Sequence, residues 1–331
     1  MEDHPKVSVG IPVFNGEKTL ARTIESILKQ DYANIEIVIS DNGSTDSTLL
    51  IAERYALLDS RIRIERFEEN QGSISNFNRV FELANGEFFM WASHDDEHEP
   101  EFIRLCLENL RRDPESALCA PRMRGIISPG SGGMWVGDLG SFANKKSIVN
   151  RYHETLTHFP AVAIYGLYRS SMIRKTSLLR KVIGSDLIFI QNLSLYGTFI
   201  ECDQILFTYH GRETWNTVDQ DYAVFYGEKR KPWYFSPFLM VSQHQIRIIV
   251  ECDHPFLTRL RLLGVLFRFQ VSQILLKIAL KIIKYAIPKK YQMKMAKTLY
   301  WRFIHSPNIK AEVDDKYTER VIRPIVGLRS K

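Results

Sequence analysis

The sequence predicts an α/β protein: a doubly wound, mostly parallel central sheet with helices on both faces, followed by a mainly helical C-terminal extension. Three observations predict this architecture. Strand-like and helix-like segments alternate over the first hundred residues, as in right-handed βαβ units. Phe88–Ala92 is a continuous apolar run, typical of a strand covered on both faces. From Gly264 to Ile287, polar residues recur every three or four positions in an otherwise apolar segment, which predicts an amphipathic helix.

The first elements follow from the periodicity of their apolar residues. Val7–Val13 is rich in β-branched residues and predicts a strand, and Asn15 is the expected N-cap of the next helix. The apolar face of that helix consists of Leu20, Ile24, Ile27 and Leu28. Four more elements are expected in chain order: a strand at Ile35–Ser40, a helix at Thr45–Leu57, a strand at Arg61–Phe67 and a helix at Ser75–Asn85, with Gly86 as its C-cap glycine.

The pattern weakens after residue 121. Ser128–Gly140 is rich in glycine and small residues, which indicates a loop. Helices are expected at Tyr165–Arg180 and Ser185–Leu195, and a short strand at Ile205–His210.

Polar residues follow three of the predicted strands. Phe14-Asn15, Asp41-Asn42 and Asp95-Asp96 each stand where a strand ends. In doubly wound sheets, ligands bind beyond the carboxyl ends of the strands, so we expect these residues to line one edge of the sheet and to form a binding site.

Composition and charge exclude several classes of protein. The chain has 331 residues, a net charge of +6, 45% hydrophobic and 25% charged residues, which excludes a disordered or fibrous chain. We find no RNA-binding motif, zinc finger or helix-turn-helix, so nucleic acid is not an expected partner. No segment is long and apolar enough to predict a transmembrane helix, and the first residues lack the apolar core of a secretory signal. The four scattered cysteines predict free thiols in a reducing compartment.

Asp95 and Asp96 are the strongest chemical signal. Adjacent carboxylates at the end of a buried strand repel each other unless a cation or another partner neutralises them. A divalent ion such as Mg²⁺ or Mn²⁺, completed by phosphate oxygens, fits such a pair. The alternative is structural: Asp96 or Glu97 would cap the helix that contains Phe102.

Two further turns also allow both a structural and a ligand-binding interpretation. The segment from Asp41 to Asp46 is either a turn with a helix cap or a place where Asp41 accepts a hydrogen bond from a nucleobase. Asn70-Gln71-Gly72 is either an ordinary loop or a site where the backbone approaches a ligand closely.

Taken together, the motifs resemble those of family 2 glycosyltransferases with the GT-A fold, which are inverting enzymes that use nucleotide-sugars. The resemblance covers about residues 6–112 closely and continues more weakly to Tyr209-His210. It is carried by Pro12-Val13-Phe14-Asn15, Ser40–Asp46, Asn70-Gln71-Gly72, Asn78, Gly86-Glu87 and Ser93-His94-Asp95-Asp96.

The resemblance implies roles for individual residues. It implies that the donor nucleotide-sugar contacts Pro12, Val13, Phe14, Asn15, Asp41, Asn42, Asn70, Gly72, Asn78, Ser93 and His94. It implies a Mn²⁺ or Mg²⁺ site formed by Asp95, Asp96 and His210, although Ser93 and His94 replace the first two residues of the usual motif. Asp186 matches the general base of the family, with Ser185 in place of the usual Glu, and the alternative for Asp186 is a helix N-cap.

The C-terminal region allows two interpretations. The lysines at 277, 281 and 284 form a cationic stripe on the predicted helix Gly264–Ile287, with more basic residues nearby. Either the helix packs on the enzyme with its lysines outside, or it lies in the plane of an anionic membrane surface. The second interpretation suits a lipid-linked acceptor and a cytoplasmic protein attached peripherally to the membrane.

We therefore expect a glycosyltransferase domain at residues 1–215, with a nucleotide-sugar half at 1–125 and an acceptor half at 126–215, followed by an extension at 216–331. The expected reaction is metal-dependent transfer of a sugar from a nucleotide-sugar, with a UDP-sugar favoured, to a saccharide or polyprenyl-diphosphate-linked acceptor. Two alternatives are a nucleotidyltransferase and a catalytically degenerate domain that acts as a membrane-associated partner. A nucleotidyltransferase would normally have a glycine-rich phosphate loop with Arg or Lys after the first strand, and this sequence lacks one there.

Overall fold

The computed structural model of the chain describes residues 4–127, 134–137, 139, 146–157, 161–182, 184–211 and 237–286. The described strands are β1 (Val7–Val13), β2 (Ile35–Asp41), β3 (Ile62–Arg66), β4 (Phe88–Trp91), β5 (Glu97–His98), β6 (Ser116–Ile127), β7 (Met134–Gly137), β8 (Leu167–Arg169) and β9 (Thr198–Gly211).

Helices separate and follow these strands. They are α1 (Leu20–Leu28), α2 (Thr48–Leu58), α3 (Ser73–Glu82), α4 (Phe102–Arg112), α5 (Ile148–Thr157), a 3₁₀ turn (Ala161–Tyr165), α6 (Ser170–Ile173), α7 (Ser185–Leu193), α8 (Pro237–Glu251) and α9 (Phe256–Ala286).

The nine described strands form one sheet, in the order β3-β2-β1-β4-β8-β6-β9-β5, with β7 paired to β6. Strands β1 to β4 are parallel to one another, and Val13 of β1 lies opposite Asp41 of β2. Because these strands run in the same direction, the residues that follow β1, β2 and β4 meet at one edge of the sheet, as the sequence predicts.

The second half of the sheet returns the chain to that edge. Strand β8 pairs antiparallel with both β4 and β6, and β9 runs parallel to β6 along most of its length. The end of β9 then pairs with the short strand β5, with Glu97 opposite Thr208. This pairing brings His210, near the end of β9, beside the loop between β4 and β5.

Two apolar cores hold these layers together. The larger one lies around the sheet, and β4 contributes four fully buried residues to it, which confirms the prediction of a central strand covered on both faces. The smaller one joins α5 and α7 to the C-terminal helices through side chains such as Tyr152, Ile188, Ile249 and Leu262. The four cysteines are free and buried. Within the described ranges, every helix is too short or too polar to span a bilayer.

Two predictions about helix caps are wrong. Helix α1 begins at Leu20 with Thr19 as its N-cap, because Asn15 adopts a left-handed conformation (φ 51°) and belongs to the preceding turn. Helix α3 ends at a C-cap on Leu83. Gly86 instead lets the chain pass close to Ser8, since a Cβ on Gly86 would stand 2.6 Å from the Ser8 nitrogen.

The predicted helix at Tyr165–Arg180 is also wrong. That segment contains the end of the 3₁₀ turn, strand β8 and the single-turn helix α6. Strand β8 is drawn into the sheet by β4 and β6, and this long-range pairing overrides the local helical pattern. In the predicted loop Ser128–Gly140, Met134–Gly137 form a strand, and residues 128–133, 138 and 140 lie outside the described residues.

Candidate active site

The ends of β1 and β2 build the first wall of the site. The Asn42 N–H donates to the Val13 carbonyl (2.8 Å), which locks the two strand ends together. The Asn15 N–H donates to the Ser44 hydroxyl (2.9 Å), and the Thr45 N–H donates to the Asn15 side-chain oxygen (2.9 Å). Pro12 and Val13 are buried, whereas Phe14 remains 38% exposed and offers an aromatic face to a ligand.

Asp41 is the buried carboxylate of this wall. Its side chain is fully buried, and it accepts the Ser44 N–H at 3.2 Å. The half-exposed Arg66 guanidinium lies 3.4 Å from the other carboxylate oxygen. A buried carboxylate held by one amide and one cation keeps a fixed orientation, which suits a group that recognises a hydrogen-bond donor of a ligand.

The two turns that follow β2 and β3 are tied together by amide side chains. The Asn42 side chain donates to the side-chain oxygen of Asn70 (2.9 Å) and accepts the Gln71 N–H (2.9 Å). The same Asn70 oxygen accepts the Gly72 N–H (2.8 Å). Gly43 lies in the left-handed region (φ 72°) with Glu69 so close that a Cβ would stand 2.8 Å from its backbone. The predicted Asp41, Asn42, Asn70 and Gly72 therefore form one rigid border.

The side chain of Asn78 bonds Leu179 and not the border just described. Its side-chain NH₂ donates to the Leu179 carbonyl (2.9 Å), and its side-chain oxygen accepts the Leu179 N–H (3.0 Å). The amide therefore bridges α3 and the segment that precedes Asp186. Since both polar ends of the Asn78 side chain are engaged by protein, we interpret it as a structural tie and not as a donor contact.

The loop from Ser93 to Asp96 is anchored by α1. The Arg22 guanidinium donates to the Asp95 carbonyl (2.7 Å), and the Thr23 hydroxyl donates to the Asp96 carbonyl (2.8 Å). The Thr19 hydroxyl and the His94 ring lie 3.1 Å apart at Nδ1. These contacts engage main-chain carbonyls and one imidazole, so they leave both carboxylates of the loop to other partners.

The two carboxylates of the loop have different surroundings. Asp95 is partly exposed and accepts a hydrogen bond from the Ser93 hydroxyl. Asp96 is fully buried: one of its oxygens accepts the His210 N–H (2.9 Å), and no described residue bonds the other. Burial, followed by the charge of Asp95, raises the pKa of Asp96 to about 8. Helix α4 begins at Phe102, so neither Asp96 nor Glu97 is its N-cap, and the alternative capping interpretation is wrong.

Glu97 joins the site although the sequence did not single it out as a ligand. Its carboxylate lies 2.8 Å from His210 Nε2 and 3.3 Å from the Arg22 guanidinium. The signal available in the sequence was its position directly after Asp96. The residues that it meets, however, are 75 and 113 positions away along the chain and could be placed only by the fold.

The loop fits a divalent ion in part. Its carboxylate oxygens are hard donors, and the second oxygen of Asp96 is a buried polar atom without a partner among the described residues. Among those residues, no three His, Cys, Asp or Glu side chains are arranged to hold a metal ion by themselves. A site of this kind suits Mg²⁺ or Mn²⁺ only if substrate phosphate oxygens complete the coordination.

Asp186 lies on the second residue of α7. The N-cap of α7 is Gly184, without a side-chain cap, and the Asp186 carboxylate accepts the N–H of the adjacent Leu187 (2.8 Å). Asp186 is therefore not the N-cap, contrary to the alternative considered from the sequence. Burial raises its pKa, which makes it a stronger base than an ordinary aspartate.

The 3₁₀ turn that ends at Tyr165 packs against both β4, which precedes the carboxylate loop, and α7, which carries Asp186. Burial, followed by the charges of nearby acidic groups that include Asp96, Asp95 and Asp186, raises the pKa of Tyr165 well above its ordinary value. The sequence predicts Tyr165 only as the start of a helix.

The comparison with family models decides the family. Residues 8–175, just over half of the chain, match the model described as Glycosyl transferase family 2. The chain belongs to glycosyl transferase family 2. This confirms the resemblance, and every predicted donor contact lies within the matched region, whereas Asp186 and His210 follow it.

Curated relatives are similar over the same region. The chain is 34% identical to chondroitin synthase of Escherichia coli over 127 residues, which are 38% of this chain and 18% of that protein. It is 35% identical to the putative glycosyltransferase EpsH of Bacillus subtilis over 115 residues, which are 35% of this chain and 33% of that protein. The matches thus span a third or less of these relatives.

Two solved structures are similar to this chain in fold. A structure of S. aureus TarS 1–349 in complex with UDP-GlcNAc superposes with a TM-score of 0.59 at 21% identity, over 90% of this chain and 80% of that chain. The mannosyltransferase PcManGT from Pyrobaculum calidifontis, in complex with GDP-Man and Mn²⁺, gives a TM-score of 0.50 at 13% identity, over 98% of this chain and 86% of that chain. The GT-A type α/β fold is therefore confirmed.

Proposed function

We propose that this family 2 glycosyltransferase moves a sugar from a UDP-sugar to a saccharide or polyprenyl-diphosphate-linked acceptor, with inversion at the anomeric carbon. The observation that carries the proposal is that parallel strands β1, β2 and β4 bring the buried Asp41 carboxylate and the Asp95–Asp96 loop to one edge of the sheet. The 3₁₀ turn packs against both β4 and α7, so the helix that carries Asp186 lies close to the strand that precedes this loop. The ligands of the two structural neighbours, UDP-GlcNAc and GDP-Man with Mn²⁺, support a nucleotide-sugar donor.

The nucleotide would bind at the border formed by the ends of β1 and β2. Phe14 offers a partly exposed aromatic face, and Asp41 is a buried carboxylate with a fixed orientation. In the proposal, Pro12, Phe14 and Asn15 contact the base and ribose, and Asp41 accepts a hydrogen bond from a base N–H. The ties between Asn42 and Asn70 keep this border in place without ligand.

The diphosphate would lie at the loop between β4 and β5. Asp95, with Asp96 and His210 beside it, would hold a Mn²⁺ or Mg²⁺ ion. That ion would offset the negative charge of the bound and departing diphosphate. Asp95 is the more accessible of the two carboxylates, whereas Asp96 already accepts the His210 N–H, so Asp95 is the principal ligand in this proposal.

Asp186 would be the general base. The acceptor hydroxyl oxygen attacks the anomeric carbon from the face opposite the diphosphate, the bond from that carbon to the diphosphate oxygen breaks, and the acceptor proton passes to the Asp186 carboxylate. The raised pKa of Asp186 suits this role, because a more basic carboxylate takes the proton more readily.

The acceptor and the location of the enzyme are linked in this proposal. Residues 1–125 bind the donor, residues 126–215 form the acceptor half, and the extension at 216–331 contacts an anionic cytoplasmic membrane surface. The outward faces of α8 and α9 carry large apolar side chains that are 36–68% exposed: Leu239, Ile246, Val250, Phe256, Leu257, Leu260, Phe267, Val271, Ile274, Leu275, Ile278 and Ile282. A helix with such a face and nearby basic residues suits in-plane binding to lipid. The side chains of Lys277, Lys281 and Lys284 lie outside the described residues.

The test separates donor binding from transfer. The nucleotide is first identified from the rise in melting temperature with UDP, GDP, dTDP or CMP, with and without Mn²⁺. Asp186→Asn is then compared with the wild type, because Asn keeps the shape of the side chain and its bond to the Leu187 N–H.

We expect Asp186→Asn to bind the nucleotide as the wild type does and to transfer sugar about 10²–10⁴-fold more slowly. Transfer at the wild-type rate would contradict the role of Asp186. A wild type that releases no nucleotide from any sugar nucleotide in the presence of Mn²⁺ would contradict the proposed function and favour a degenerate domain.

A further inference from the structure

Tyr165 is held rigidly by the turn in which it lies. The Ala163 carbonyl accepts both the Gly166 N–H (3.2 Å) and the Tyr168 hydroxyl (2.5 Å), which closes the 3₁₀ turn. Gly166 packs directly against β6: a Cβ at this position would stand 2.3 Å from a Leu118 methyl group and 2.7 Å from the Cys119 carbonyl. The turn can therefore approach the sheet this closely only with glycine at 166.

The ring of Tyr165 packs against β9, the strand that ends beside the loop from Ser93 to Asp96. It stacks on Phe207 with ring centroids 5.2 Å apart and an interplanar angle of 27°. Phe207 in turn pairs with His98 of β5, two residues after Asp96. The 3₁₀ turn itself packs against α7, which carries Asp186.

The hydroxyl of Tyr165 is available to a ligand. The side chain is only partly buried, and no described residue hydrogen-bonds the hydroxyl. A tyrosine hydroxyl is protonated at neutral pH and can donate a hydrogen bond to a ligand.

If the diphosphate lies at Asp95 and the acceptor hydroxyl at Asp186, the sugar ring occupies the space between them. We propose that the Tyr165 hydroxyl donates a hydrogen bond to an oxygen of the transferred sugar, which makes Tyr165 a residue that selects the donor sugar. This inference rests on the proposed function. It adds a contact to the sugar itself, which is separate from the contacts to nucleotide and diphosphate.

The test compares the affinity of the protein for a UDP-sugar with its affinity for UDP alone. Tyr165→Phe keeps the ring stacked on Phe207 and removes only the hydroxyl. Tyr32→Phe is the matched control, because Tyr32 is buried outside this turn and its hydroxyl donates to the Pro5 carbonyl (2.6 Å). Calorimetric titration with Mn²⁺ present gives the dissociation constants of UDP, UDP-GlcNAc, UDP-glucose and UDP-galactose for the full-length wild type and both variants.

We expect Tyr165→Phe to bind UDP within twofold of the wild type and to bind the preferred UDP-sugar about 3- to 10-fold more weakly, the loss of one neutral hydrogen bond. Tyr32→Phe should lower the melting temperature and leave the ratio of the two dissociation constants unchanged. A Tyr165→Phe protein with the wild-type ratio would overturn the inference and leave the proposed function standing. A wild type that binds none of these nucleotides would overturn both.

Discussion

Replacement of Asp96 by Asn tests whether this buried carboxyl is neutral in the folded protein. Asp96 is fully buried, and one of its oxygens accepts the His210 N–H at 2.9 Å. The amide oxygen of Asn has the same shape and can accept the same hydrogen bond. The substitution therefore removes the ionisable group and retains the tie between the loop and the end of β9.

The size of the effect follows from the shift in pKa. The pKa of Asp96 rises from its ordinary value of 3.8 to about 8, so between these values the folded protein holds one proton more than the unfolded chain. The stability that Asp96 contributes is fully present below the lower value and is lost as the pH rises through the higher one. At about 1.4 kcal/mol per pH unit, the wild type loses about 3–4 kcal/mol relative to Asp96→Asn between pH 5 and pH 8.

Urea unfolding of both proteins at half-unit pH intervals measures this difference. Burial lowers the pKa of His98 to about 3, which gives an opposite slope below pH 6.5, but His98 is present in both proteins and its contribution cancels. Asp253→Asn, at an exposed position, is the control for loss of one carboxyl group. A difference between wild type and Asp96→Asn that stays constant within about 0.5 kcal/mol from pH 5 to pH 8 would refute the reasoning.

The remaining predictions concern the metal and the membrane. Asp95→Ala should abolish the Mn²⁺-dependent rise in melting temperature with UDP. It should also raise the barrier to transfer by roughly several kcal/mol, because the charge of the diphosphate is no longer offset. Mn²⁺-dependent turnover within a few-fold of the wild type would contradict the role of Asp95. The full-length chain should float with anionic vesicles at low salt and detach as salt rises, at about 1 kcal/mol per basic residue. Changing Lys277, Lys281 and Lys284 together to Glu should weaken flotation more than the same change at three exposed lysines of the catalytic part, Lys29, Lys175 and Lys181. A wild-type protein that stays in the soluble fraction would show that α9 packs as an ordinary helix.

The first half of the fold could be predicted because its signals are local. Apolar periodicity within β1, α1, β2 and β4 identified each element, and parallel order alone placed the ends of three strands at one edge. The second half of the fold could not be predicted from local signals, because strand β8 exists only through its pairing with β4 and β6. A helical pattern in its sequence was therefore misleading.

The same limit applies to the site. Motifs in the sequence singled out Asp41, Asp95 and Asp186, because each stands near the end or the start of a recognisable strand or helix. Their partners could not: the His210 N–H reaches Asp96 across 114 residues, and Asn78 reaches Leu179 across 101. Asn78 shows the consequence, since a motif identifies a residue type at a position and does not show that its amide is occupied by protein.

The departures at Ser93 and His94 change the charge of the loop more than its architecture. Ser93 places a neutral hydroxyl where the family motif has a carboxylate, and this hydroxyl donates to Asp95. One negative charge fewer weakens the attraction for a cation, but it also lowers the repulsion on the adjacent carboxylates. His94 is held by Thr19, and the main chain at Asp95 and Asp96 is held by Arg22 and Thr23. Because these anchors do not involve the Asp95 carboxylate, the loop can keep that group in place with a serine at 93. In the proposed metal site, the donor diphosphate would therefore supply a larger share of the coordination than in a site with both aspartates.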